Sequence, residues 1–295
     1  MRTSPLLAIV LGVTVTSCMA GDLQILFPLY SYPDWYSPSS YIWAEIASAN
    51  ATVPITAIIN PDNGPGGPPN SDFLHGMADL EADGVSMIGY VSTDYGLRSL
   101  SDIESDISLY ASSYPGVIGI FLDEESTSPS ELSFYETIRN YTLTKTDLTT
   151  IIANPGTNTP ESYISAPTAN TTVLFESGSG WDSYATDGYV ANYPRSDFAA
   201  VFYNLSSTAE MESAVNLAQE RNFGYVFATD GTGANPYNSL PSYWTAEVNY
   251  VAGVPEPSGM ALAGIGALWL VWRSLRGDWA RKWAKWCSSP SGGHP

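Results

Sequence analysis

Cysteine is nearly absent from this chain. Its two cysteines, Cys18 and Cys287, fall near the ends of 295 residues, so everything between them lacks a disulfide, a thiolate nucleophile and a thiolate zinc ligand. Histidine is equally scarce, with only His75 and His294. A Ser-His-Asp hydrolase would have to be built on His75, and a His-rich metal site is excluded. Basic residues are also few, 11 against 30 acidic ones. Arg2, Arg273, Arg276, Arg281, Lys282 and Lys285 lie in the terminal segments, so residues 21–253 carry five basic and 28 acidic residues, a net charge of −23. Such a field repels nucleic acid and anionic membranes and favours neutral or cationic ligands, although solubility alone accounts for much of it. No dinucleotide fingerprint is present, and PDNGPGGPP at 61–69 lacks the lysine of a phosphate loop. No cofactor and no metal are expected, and any chemistry must be carried by carboxylates.

The two ends read as sorting segments. MRTSPLLAIVLGVTVTSCMA has Arg2, an apolar run from Leu6 to Val15 and then small residues, the layout of a secretory signal peptide over residues 1–20. Cleavage after Ala20 fits this layout; VTSC, ending at Cys18, loosely fits a lipoprotein signal as the other option. At the far end, residues 254–295 hold a Pro-Glu-Pro break at Pro255–Pro257, a short apolar run over 259–272 and a basic cluster. That order resembles the PEP-CTERM sorting signal of Gram-negative bacteria. The resemblance implies export to the outer surface, with signal peptidase and exosortase as partners during export and transient membrane contact through 259–272.

Between the ends the chain has a beat. Apolar runs of strand length begin near Gln24, Ile55, Ser86, Val117, Thr149, Thr172, Phe198 and Tyr225, about 31 residues apart in the first half. Segments with helical start signals separate them: Ser101 with Glu104, Ser128 with Glu131 and Ser207 with Glu210 read as capping boxes, and Gly224 suits a helix end. Eight βα units close most simply as an α/β (β/α)8 TIM barrel, here one domain over 21–253, with the doubly wound open sheet as the alternative. In a barrel the active site lies at the C-terminal ends of the strands. The residues ending these runs are Tyr30, Asn60, Tyr90, Asp123 with Glu124, Asn154, Glu176 and Asp230. Trp35, Tyr95 and Trp181 follow closely enough to offer flat faces to a sugar ring.

VIGIFLDEES at 117–126 runs a buried-looking strand straight into Asp123, Glu124 and Glu125. Glycosidic bonds require two carboxyl groups, one a proton donor and the other a nucleophile or base. Glu176 ends the sixth strand, and strands two apart share an internal layer, so Glu176 can face one member of the strand-four pair. Period-two alternation groups Asp123 with Gly119 and Phe121 and turns Asp123 inward; a glycine suits a crowded interior. Both Asp123 and Glu124 reach the mouth only if the strand has already ended there. Glu125 is expected to be solvated. A surface acid cluster or an oxygen-ligand calcium site is the other reading of these acids.

LFPLYSYP, VPITAIINPDNGPG, MIGYVSTDYGLRSL, GIFLDE, NPGT and LFES, in this order, resemble the spherulation-specific family 4 (spherulin-4-like) proteins from about Leu23 to Gly231. That resemblance implies a (β/α)8 enzyme of glycoside hydrolase family 135, endo-acting on α-1,4-linked N-acetylgalactosamine in galactosaminogalactan. By motif it puts the acidic site residues on Asp123, Glu124 and Glu176. Ser92 and Asp94 depart from the family pattern. The expectation is an exported polysaccharide hydrolase of the biofilm matrix, its substrate bound by Tyr30, Asn60, Tyr90, Tyr95, Asn154, Trp181 and Asp230. A non-catalytic carbohydrate-binding matrix or adhesion protein on the same barrel is the alternative.

Overall fold

A computed structural model describes residues 23–253. The expected signal peptide and C-terminal sorting segment therefore lie outside the described residues. Eight strands form one closed parallel barrel in sequence order: β1 Gln24–Leu29, β2 Ile55–Ile59, β3 Ser86–Ser92, β4 Val117–Asp123, β5 Thr150–Asn154, β6 Thr171–Ser177, β7 Phe198–Phe202 and β8 Tyr225–Ala228. β8 returns to β1 through Gln24↔Tyr225 and Ile25↔Val226. ITAII and FAAVF are buried along their whole length, as a sheet covered on both faces requires. Each strand starts within one residue of the position expected from its apolar run.

Among the described residues seven α-helices cover the barrel: α1 Ile42–Ala49, α2 Ser71–Ala82, α3 Leu100–Ser113, α4 Leu132–Thr142, α5 Ser162–Ser165, α6 Thr208–Glu220 and α7 Trp244–Gly253. After β6 the chain makes two short 3-10 turns, Gly188–Asn192 and Arg195–Asp197, in place of an α-helix. The sequence there, with Gly178, Gly180, Gly188 and Pro194, has no run of helix formers long enough to nucleate one. Buried Arg195 closes the gap by donating from Nε and Nη2 to the Phe223 carbonyl.

The caps correct the sequence reading in places. Ser207 caps α6, accepting from the Glu210 N–H, and Glu210 reaches back to the Ser206 N–H rather than to that of Ser207. α3 is capped by Ser99, two residues before the expected Ser101, and Ser128 precedes a 3-10 turn without capping it. α2 is capped by Asn70, whose Oδ1 accepts from Asp72 and Phe73. The left-handed residue after α6 is Asn222, with φ 66°, and not Gly224. Gly119 serves close approach: a Cβ there would stand 2.2 Å from the Thr150 carbonyl oxygen of β5, so the constraint is the neighbouring backbone and not crowding inside the barrel.

Candidate active site

Strand β4 ends at Asp123, one period after Phe121. Glu124 then takes a left-handed backbone with φ 56°, which costs a non-glycine residue about 1–2 kcal/mol. Local bonds hold it there. The N–H of Thr93 donates to the Asp123 carbonyl and that of Tyr95 to the Glu124 carbonyl. Thr93 Oγ1 donates to both carbonyls. The turn breaks the strand alternation, so Asp123 and Glu124 both face the mouth and Glu125 swings inward behind the sheet. Asp94 and Tyr95 are also left-handed, as is Asn63 in the loop after β2; backbone strain gathers at this end of the barrel.

Asn154, at the end of β5, lies between β4 and β6 and joins their acids. Its Nδ2 donates to Asp123 Oδ1 at 2.7 Å and also to Glu176 Oε2. A shared nitrogen puts these two carboxylate oxygens no more than roughly 5.5 Å apart, twice a short N–H···O length. Tyr90 donates to Asp123 Oδ2 at 2.7 Å and Tyr237 to Glu176 Oε1 at 2.5 Å. Tyr30 packs edge-on against both tyrosines, with ring centroids 5.6 Å away in each case. Glu124 Oε2 accepts from Ser92 Oγ at 2.5 Å, so Ser92 positions an acid. Burial, and then the charge of Glu176, push the Asp123 carboxyl up to about 6, partly opposed by its bonds from Tyr90 and Asn154. Burial holds the Tyr90 and Tyr237 hydroxyls far above their ordinary range, so both stay protonated and donate.

Two cavities meet at this pair. One, of about 350 Å³, is lined by Tyr95, Glu124, Gly156 and Tyr203; the other, of about 390 Å³, by Tyr30, Asn60, Asn63, Asn235 and Tyr237; both include Asp123 and Glu176. Asn60 also shapes its side of the mouth, its Oδ1 accepting from the Gly64 N–H. Of the expected site residues, the fold brings together Asp123, Glu124, Glu176, Tyr30, Asn60, Tyr90, Tyr95 and Asn154. Trp181 and Asp230 line neither cavity. The Trp181 carbonyl accepts from Arg221 at the C-terminal end of α6, far from the mouth, because the segment after β6 descends the barrel's flank. Asp230 Oδ1 accepts from the Ser242 N–H and ties down the loop after β8. That loop supplies Tyr237, which the reading of strand ends missed because it lies nine residues beyond β8. Gly231 lets the loop fold tightly: a Cβ there would stand 1.9 Å from the Pro236 carbonyl oxygen. Among the described residues no group of three or more His, Cys, Asp or Glu is arranged to hold a metal, and no helix is long and apolar enough to cross a membrane.

Glu125 is the main correction. Expected in solvent, it is 1% exposed. Its Oε1 accepts from Thr168 Oγ1 at 3.2 Å while Oε2 has no partner. Burial raises its carboxyl to about 8. Buried Glu247, which accepts from the Ala228 N–H, is raised as well. A folded value above the unfolded one means stability that is present below about pH 4.5 and lost as pH climbs through 8. The protein is accordingly expected to melt at a lower temperature at pH 8.5 than at pH 5. Glu125→Gln should recover on the order of 2 kcal/mol, roughly 5 °C, at pH 8.5 and little at pH 4.5. Calorimetry at the two pH values checks this; an equal effect at both would place Glu125 in solvent after all.

Residues 24–251 match the family model described as spherulation-specific family 4. Spherulin-4 of Physarum polycephalum is 36% identical over 250 residues, covering 81% of this chain and 73% of that protein. Among solved structures, Aspergillus clavatus Sph3 in complex with GalNAc aligns with a TM-score of 0.68 at 24% identity, over 80% of this chain and 99% of that one. A β-1,4-D-mannanase from Cryptopygus antarcticus aligns with a TM-score of 0.50 at 11% identity, over 80% and 92% of the two chains. At these identities the two structural likenesses establish a shared barrel fold.

Proposed function

The chain belongs to the spherulation-specific family 4, and from that premise we propose that it is a glycoside hydrolase working with Asp123 and Glu176. The observation that carries this reading is the Asn154 amide bridging two carboxylates at the point where two cavities meet. Asp123, raised to about 6, is the proton donor to the leaving oxygen. Glu176, steadied by Tyr237 and Asn154, is the nucleophile. A separation near 5 Å belongs to retaining enzymes, in which the second carboxylate attacks the anomeric carbon and water later releases the sugar; inverting enzymes leave roughly 6.5–9.5 Å for a water between the two groups. Glu124, on Ser92, faces the cavity on the Tyr95 side and contacts the sugar there.

The substrate we propose is a polymer of α-1,4-linked N-acetylgalactosamine and galactosamine, cut internally, as in glycoside hydrolase family 135. Two features favour it: the GalNAc held by the Aspergillus relative of like fold, and an acidic body that suits a partly deacetylated, cationic chain. The same proposal has residues 1–20 removed on export, 21–253 as the catalytic domain and 254–295 as a PEP-CTERM signal read by an exosortase, delivering the enzyme to the surface of a Gram-negative cell. Incubating the protein with a polysaccharide panel that includes galactosaminogalactan, with products read by mass spectrometry, tests the activity. Galactosamine-containing oligosaccharides of several lengths are expected. Binding of the polymer without any product would favour the non-catalytic matrix protein instead.

A further inference from the structure

Tyr32, Trp35, Tyr36 and Tyr95 are the exposed large aromatics among the described residues, at 48, 43, 60 and 56%. All four follow β1 or β3, at the carboxylate end of the barrel. Tyr95 already lines the mouth. The other three form a separate cluster, in which Tyr32 and Trp35 are held against the first turn of α2. Trp35 Nε1 donates to Asp72 Oδ1 at 3.0 Å and Tyr32 Oη to Asp72 Oδ2 at 2.6 Å, while Tyr32 Oη accepts from Asn70 Nδ2. His75 stacks on the Trp35 ring with centroids 4.5 Å apart, and Tyr36 meets that ring nearly edge-on at 6.0 Å. Even with His75 stacked on it, Trp35 keeps 43% of its surface exposed. Both Asp72 oxygens are thus spent holding flat apolar surface in water, an arrangement that contributes little to folding.

We propose that Trp35, with Tyr36 and Tyr32, is a distal sugar-binding platform that holds the polymer outside the mouth. The proposal rests on the glycosidase reading for the identity of the chain it binds. Trp35 stands five positions after Tyr30, whose ring lines the cavity, so their Cα atoms lie within roughly 17 Å of each other by chain reach. The chemistry suits a pyranose, whose C–H face packs on an aromatic ring. A protein partner would favour a broader apolar surface than three rings around a carboxylate.

The test uses the whole protein carrying Glu176→Gln, so that bound polymer is not cut, in affinity electrophoresis through gels containing galactosaminogalactan. Adding Trp35→Ala should weaken binding about tenfold, equivalent to ~1.4 kcal/mol, while Trp35→Phe restores most of it. Tyr36→Ala should weaken binding several-fold. Leu143→Ala, exposed after α4 at the opposite end of the barrel, should change nothing. In the active protein Trp35→Ala should raise KM for the polymer by a similar factor with kcat within about twofold. Unchanged binding in both the Trp35→Ala and Tyr36→Ala variants overturns the platform even if hydrolysis is observed. Binding lost with Trp35→Ala in a protein that never cuts the polymer supports the platform and removes the glycosidase reading. Failure of the parent protein to bind the polymer also overturns it.

Discussion

Glu176→Gln is expected to abolish turnover, by roughly 10³-fold or more, in a protein that stays folded and still binds its polymer. The amide keeps the size and hydrogen-bonding reach of the side chain, so Tyr237 and Asn154 retain a partner on β6. What disappears is the negative charge that would attack the anomeric carbon. Loss of kcat with little change in affinity is what separates an enzyme from a lectin on the same scaffold, since only an interaction made in the transition state lowers the barrier. A variant that turns over within about tenfold of the parent would remove Glu176 from the chemistry. The substitution carries a second consequence: the Glu176 charge helps raise Asp123, so the Asp123 carboxyl should titrate at lower pH in the variant, which carboxyl NMR reads directly.

The second large effect belongs to Asp123. A proton donor must be protonated, so kcat/KM should decline as pH rises through about 6, the value to which burial and Glu176 push this carboxyl. Asp123→Asn should lower the rate on the polymer by roughly 10²–10⁴-fold and should remove that alkaline limb from whatever activity remains. Substrates with a good leaving group, such as a nitrophenyl glycoside, need little protonation, so Asp123→Asn should recover much of its rate on them and Glu176→Gln should not. If both variants recover alike, or the limb persists in Asp123→Asn, the two roles have been assigned to the wrong acids.

Much of this arrangement was legible in the chain because a parallel barrel leaves a simple trace. Strands buried on both faces read as continuous apolar runs, and the residues that stop them lie at one end by topology; this is how Asp123, Asn154 and Glu176 could be gathered before any contact was known. The backbone conformation at one residue was not legible. The left-handed turn at Glu124 depends on Thr93 and Tyr95 from the neighbouring loop, and it decides that Glu124 faces the mouth while Glu125 is buried. Tyr237 was missed for a related reason, since a loop that doubles back tightly at Gly231 and Pro236 carries it to Glu176. Trp181 and Asp230 lie off the two cavities, because nearness in sequence to a strand end does not fix direction once the chain leaves the sheet.

The central claim is that Asp123 and Glu176 act together across one glycosidic bond. It is tested most directly by the configuration of the first sugar released, followed by proton NMR in the opening moments of hydrolysis, before mutarotation mixes the anomers. With carboxylate oxygens no more than roughly 5.5 Å apart, the pair is spaced for a covalent intermediate, and an α-linked substrate should yield the α-anomer first. An initial β-anomer would contradict the account, because inversion requires a wider pair with room for water between the groups, and the partner of Glu176 or of Asp123 would then have to be sought elsewhere on the rim.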